Sequence, residues 1–78
     1  MFDKNRFKAM VVLRGRTLED VSNALGINKS TLYRKIEERD GDFSREEINK
    51  LIDFLHIENP SAIFFADEVA NTEQELEE

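Results

Sequence analysis

The pattern of this chain predicts an all-α fold, a compact bundle of about five helices. Apolar residues recur at spacings of three and four, no stretch alternates with period two over a strand's length, and cap-forming residues punctuate the apolar runs. The 78 residues make one domain, which buries only about 60–65% of the surface its unfolded form exposes. A core of that size leaves little room for a deep catalytic cavity.

The first helix runs from Lys4 to about Arg14. Asp3 is its cap, Phe7, Met10 and Val11 form one stripe, and Gly15 lies just beyond its end. Thr17 opens the second helix, where Thr17-Leu18-Glu19-Asp20 resembles a capping box, although Asp is shorter than the Glu best suited to the return bond. Leu18, Val21 and Leu25 face inward, and Gly26 supplies the left-handed residue that ends the helix. The third helix follows at once, with Asn28 as cap, Ile27 and Leu32 as a hydrophobic staple, and Ile36 inward one turn after Leu32. After the turn Asp40-Gly41-Asp42, Ser44 and Glu47 form a full capping box and Phe43 and Ile48 a second staple. Ile48, Leu51, Ile52 and Leu55 then make the apolar stripe of the fourth helix. Asn59-Pro60 starts a short fifth helix carrying Ile63, Phe64 and Phe65, with Pro at the first position, where its missing N–H costs nothing.

The formal charge of −6 suits a phosphate-binding protein poorly until its distribution is considered. Residues 1–39 hold nine Lys and Arg against five Asp and Glu, whereas residues 40–78 hold two against twelve. Residues 1–66 are neutral, and the excess acid sits in residues 67–78, expected to be a solvated tail or, alternatively, a segment that screens a basic face or repels DNA. The chain contains no Cys, which removes disulfides and thiolate chemistry, and its longest apolar run, Ala9 to Leu13, is too short for a membrane span or a signal core. A cytoplasmic protein is expected. The lone His56, near the end of the fourth helix, has no partner ligands in the pattern, so no metal or cofactor is expected.

Leu18 to Ile36 reads as a helix-turn-helix, two short helices joined through a Gly, the second polar and basic at its start. A helix that enters a groove about 12 Å wide must be braced by its neighbour, bury only its back and present hydrogen-bonding side chains at its tip. Small Ser22 lets the helices approach, Val21, Leu25, Ile27 and Leu32 form the brace, and the tip reads Asn28-Lys29-Ser30-Thr31.

The segment from Leu18 to Ile36 resembles the lambda-repressor-like Cro/CI family, also called the XRE family, and the resemblance extends over residues 4 to about 66. The opening Phe2-Asp3-Lys4-Asn5-Arg6-Phe7-Lys8 and the closing Ile63-Phe64-Phe65 are similar to small phage or prophage helix-turn-helix proteins of Gram-positive bacteria. Ser22 stands where family members often have Ala, and Lys35 where they have an apolar residue, with Ile36 taking the buried contact one place later. The resemblance implies a DNA-binding transcription regulator, repressor-like, that reads bases with Asn28, Lys29, Ser30, Thr31, Tyr33 and Arg34.

Arg34, one turn after Ser30, suits a bidentate contact to guanine, and Thr31 or Tyr33 a thymine methyl. Asn28 either pairs with adenine or is occupied in capping, and Lys29 is equally suited to phosphate. Thr17 and the basic residues Arg14, Arg16, Lys35, Arg39 and Arg45 are the expected phosphate contacts, with Asp40 and Asp42 working against Arg39. Ile63, Phe64 and Phe65 are candidates for a homodimer contact that would space two half-sites about 34 Å apart, core packing being the alternative. The competing reading is a protein-binding module, such as an antirepressor or adaptor, for which the acidic second half would suit a basic partner. No phosphate-cradling Gly loop, nucleophile elbow or metal pair supports an enzyme or a small-molecule substrate.

Overall fold

Each helix starts at the cap residue that the sequence marks. The computed structural model describes residues 1–66 and contains α1 (Lys4–Leu13), α2 (Leu18–Leu25), α3 (Lys29–Glu37), α4 (Arg45–Leu55) and α5 (Pro60–Phe64). No strand occurs among the described residues, and no helix there is long and apolar enough to cross a membrane. The acidic residues 67–78 lie outside the described residues.

Asp3 Oδ1 accepts the Arg6 N–H at 3.0 Å, and Asn28 Oδ1 accepts the Thr31 N–H at 2.8 Å. At α4, Ser44 and Glu47 exchange both capping-box bonds, at 3.1 and 2.9 Å. The Thr17–Asp20 box corrects the expectation of a poorer return bond. Asp20 N–H reaches Thr17 Oγ1 at 3.1 Å and Thr17 N–H reaches Asp20 Oδ2 at 2.8 Å, because the extended backbone of Thr17 turns its N–H back over the first turn, within reach of the shorter carboxylate. The helix ends also follow their residues. Gly26, with φ 72°, donates to Asn23 O at 3.2 Å, and the next N–H, of Ile27, closes on Ser22 O at 3.0 Å. Helix α1 stops at Leu13, and Arg14, expected inside it, is its C-cap.

Phe7, Val21, Leu32, Leu51 and Leu55 are the most deeply buried large side chains, so α1 to α4 each contribute to one core. Helix α2 lies against both α4 and α3, and α1 packs on α5. Ser22 is buried between the helices as expected, and its hydroxyl is satisfied by donating to Glu19 O at 2.7 Å.

The N-terminus is part of the core, which no periodicity in the sequence signals. The Phe2 ring packs with those of Phe7, Phe43 and Phe64, at centroid distances of 5.5, 5.8 and 5.9 Å. Backbone bonds from Asp3 N–H to Ile63 O (2.7 Å) and from Ala66 N–H to Met1 O (2.9 Å) clasp this segment to α5 and its exit. Ile63 and Phe64, candidates for a contact between chains, are therefore spent inside this chain, at 3% and 6% exposure, and only Phe65 of the three remains open, at 48%. The reason is geometric: a helix as short as α5 turns two adjacent apolar residues into the core, and the third passes to the outside.

Candidate nucleic-acid interface

Helix α3 is held by its back and its flanks. Leu32 and Ile36 are buried, and Ile27, half-buried, packs against the same core ahead of the cap. On one flank, the Glu37 carboxylate accepts hydrogen bonds from Lys4 Nζ (2.9 Å) and from Lys8 Nζ, both on α1. These ammonium groups, Lys8 first, hold the Glu37 carboxyl below its ordinary range, and the same bond raises the Lys8 pKa. On the other flank, Lys35 Nζ donates to Asp42 O (3.0 Å) and Glu47 Oε1 (3.4 Å) and lies 5.9 Å from the Phe43 ring centroid. Burial by itself would raise the Glu47 pKa. The Ser44 N–H bond and the charge of Lys35 outweigh it, and the carboxyl sits below its ordinary value.

The outward face of α3 carries Ser30, Tyr33 and Arg34, all exposed, with Lys29 exposed at the first helical position and Thr31 half-buried. Tyr33 is half exposed and lies close enough to Lys8 for an electrostatic interaction. Arg34 Nε makes one long bond, 3.5 Å, to Ser30 O in its own helix, which leaves the guanidinium available. Of the two roles open to Asn28, its oxygen takes the cap, so only its N–H₂ group remains to meet a partner.

Among the expected phosphate contacts, two are committed elsewhere. Arg14 donates from Nε to Leu55 O (2.8 Å) and from an Nη to His56 O (2.9 Å), capping the C-terminus of α4, where a cation is favoured and carbonyls lack partners. Lys35 is the second: its side chain is 19% exposed, and its ammonium bridges α3 to Asp42 and α4. An ammonium spaced one residue before a buried Ile36 lies over the α4 side of the helix and reaches Glu47 before it reaches solvent. Arg16 stacks its guanidinium on Phe54, 4.9 Å from the ring centroid, and remains exposed. Thr17 is exposed but caps α2, and Glu19 and Asp20 place negative charge in the same first turn.

Lys29, Arg39 and Arg45 make no side-chain hydrogen bond or ion pair among the described residues. Together with Arg34, they occupy the two ends of α3, its outer face and the start of α4. Exposed Glu38, Asp40 and Asp42 stand beside Arg39, so the cationic surface narrows at the C-terminal end of α3.

Sequence reasoning missed the ties at Glu37 and Glu47 and the Arg14 cap. The Lys4 and Lys8 partners of Glu37 are 33 and 29 residues away, so no local spacing advertises them. No group of three His, Cys, Asp or Glu able to hold a metal ion occurs among the described residues. No family model, curated protein or solved structure matches this chain.

Proposed function

We propose that the chain binds double-stranded DNA in a sequence-dependent manner through α3 and serves as a transcription regulator, as its resemblance to the Cro/CI repressors implies. One observation carries the reading. Most basic side chains are engaged within the molecule, by Glu37, Asp3, Glu47, Glu46, the end of α4 or the Phe54 ring. The four with no ion pair, ring contact or bond outside their own helix, Lys29, Arg34, Arg39 and Arg45, all fall between residues 29 and 45, on and around α3, whose outer face is polar.

In this reading, the N-terminal half of α3 lies in the major groove. Arg34 forks onto a guanine edge, Ser30 and the Asn28 N–H₂ reach neighbouring base edges, and Tyr33 offers its ring to a thymine methyl. Lys29, Arg39 and Arg45 neutralise phosphates along the groove walls, with Arg16 as an outlying contact. The function is occupation of a site rather than chemistry on it, so no catalytic group, metal or cofactor enters.

Titration of the full chain against random and selected duplexes at two salt concentrations tests this. For three to four neutralised phosphates, affinity should fall about fortyfold to 150-fold between 50 and 200 mM salt. Selection from a random duplex pool should yield a consensus.

Exposed Glu38, Asp40 and Asp42 beside the basic residues favour one competing reading, a module that grips a basic protein through the end of α3. Indifference to every duplex at low salt would select it.

A further inference from the structure

Helix α1 is apolar on two sides, and the core uses only one. Phe7 and Val11 are buried, whereas Leu13 is 70% exposed, with Ala9 one turn before it. This outer side borders a groove of about 510 Å³ floored by Ala9 and Met10 of α1 and by Ala62 and Ile63 of α5. A surface helix with one packing partner ordinarily keeps its outer face polar, so an apolar outer face calls for a cover.

Ala66 stands at one end of this groove. The Asp3 N–H donates to Ile63 O (2.7 Å) and the Ala66 N–H to Met1 O (2.9 Å), which puts Ala66 beside the start of α1, at the Arg6 end. Leu13 and Glu58 mark the other end, where Arg14 bonds Leu55 O and His56 O. Twelve residues follow Ala66 in the sequence, and Asp67 and Glu68 come first. Chain length alone keeps these two acids within reach of Arg6, whose ion pair with Asp3 is long at 3.6 Å. Val69 and Leu76 are seven residues apart, as are Arg6 and Leu13. At a helical rise that spacing is two turns, about 10.5 Å, so a segment that starts at Arg6 brings its second apolar residue to Leu13. Tethering favours this occupant over a free one, because a segment attached at the rim meets the groove at an effective concentration on the order of millimolar.

We infer that the α1–α5 groove is the docking site of residues 67–78 of the same chain, with Asp67 and Glu68 against Arg6 and with Val69 and Leu76 laid along the floor toward Leu13. Glu58, at the far end, repels Glu77 and Glu78, so the charge attraction is concentrated at Arg6. Lys4 and Lys8 occupy the flank of α1 that meets α3, and the groove lies on its other flank. Docking therefore holds the acidic segment away from α3, the opposite of screening its cations. None of these contacts depends on the DNA reading.

The chain has no Cys, so Gln74→Cys gives the full chain a single thiol for a nitroxide label, at a position off the Val69–Leu76 stripe. Paramagnetic broadening of the backbone amide signals is the test. Docking should extinguish the signals of Ala9, Leu13 and Ala62, spare those of Ser30 and Arg34, and be unchanged on dilution. Leu76→Arg and Arg6→Glu, each in the labelled chain, should bring the Leu13 signal back, and Glu58→Lys should deepen its loss. Broadening centred on α3, or confined to Met1 and Phe65 beside Ala66, would overturn the inference. So would broadening at Leu13 that fades on dilution, which would come from the segment of a second molecule, or broadening that survives Leu76→Arg.

Discussion

The ring of Phe2 rests directly on the α-carbon face of Gly41, so that a Cβ built at 41 would fall within 2.6 Å of Phe2 Cβ and closer still to the ring. Gly41 also has φ 71°, in the left-handed region. Two independent costs thus meet at one position, a strained backbone and an overpacked contact, and Gly41→Ala should destabilise the domain by about 2–4 kcal/mol, read from the urea midpoint. Phe2→Ala removes the ring and leaves only the Cβ against residue 41. In the Phe2→Ala background the added cost of Gly41→Ala should shrink, and full additivity of the two changes would show that the ring does not occupy this site.

That contact also marks the limit of what the sequence discloses. The caps at Thr17, Asn28 and Ser44 and the first-turn Pro60 are legible because a helix start is written within four residues, as are Gly26 and the stripes of α2 and α4. Phe2 sits outside any helix and finds Gly41, Phe43 and Phe64, all distant in the chain, so nothing in its neighbourhood distinguishes it from a frayed end. The same holds for function. Ser30 and Arg34 are exposed where helical spacing puts them. Lys35 and Arg14 look like surface cations in the sequence, and only the arrival of Glu47 or the α4 carbonyls reveals their use.

His56 ends α4 in the left-handed conformation, φ 51° and ψ 52°, a place usually given to glycine. Its backbone carbonyl, not its ring, accepts from Arg14. His56→Gly keeps that bond and removes the steric cost of the Cβ, so it should raise stability by about 0.5–1 kcal/mol in thermal or urea unfolding. A loss of stability would show that the imidazole makes a contribution larger than the strain.

The carboxylates of Glu37 and Glu47 are both held below their ordinary value of 4.5, so the folded state binds their protons less readily than the unfolded chain does. Their contribution is fully present above about pH 4.5 and is lost as pH falls through their folded values. Lys8, raised above 10.5, contributes the converse, present below that value and lost as pH rises through its folded one. The unfolding midpoint should therefore drop on the acid side. Glu37→Gln should lower it at pH 7 and flatten part of the acid limb, and an unchanged limb would place the acid sensitivity elsewhere.

The sharpest separation of reading from holding lies in two neighbouring residues of α3. Arg34 projects from the outer face with a single long bond to its own helix, whereas Lys35 is half-buried and tied to Asp42 and Glu47. If α3 reads DNA, Arg34→Ala should cost about 1–3 kcal/mol on the selected duplex, relax the preference at one base pair and leave the urea midpoint unchanged. Lys35→Ala should do the reverse: it leaves Glu47 without its cation and shifts the unfolding midpoint, with the salt dependence of binding unaltered, because an ammonium turned onto α4 displaces no counterion from a phosphate. Parallel fluorescence-anisotropy and urea titrations of the two variants measure both quantities. An equal loss for Arg34→Ala on selected and random duplexes would make Arg34 a phosphate contact. A reduced salt slope for Lys35→Ala would mean that its bonds to Asp42 and Glu47 give way when DNA arrives.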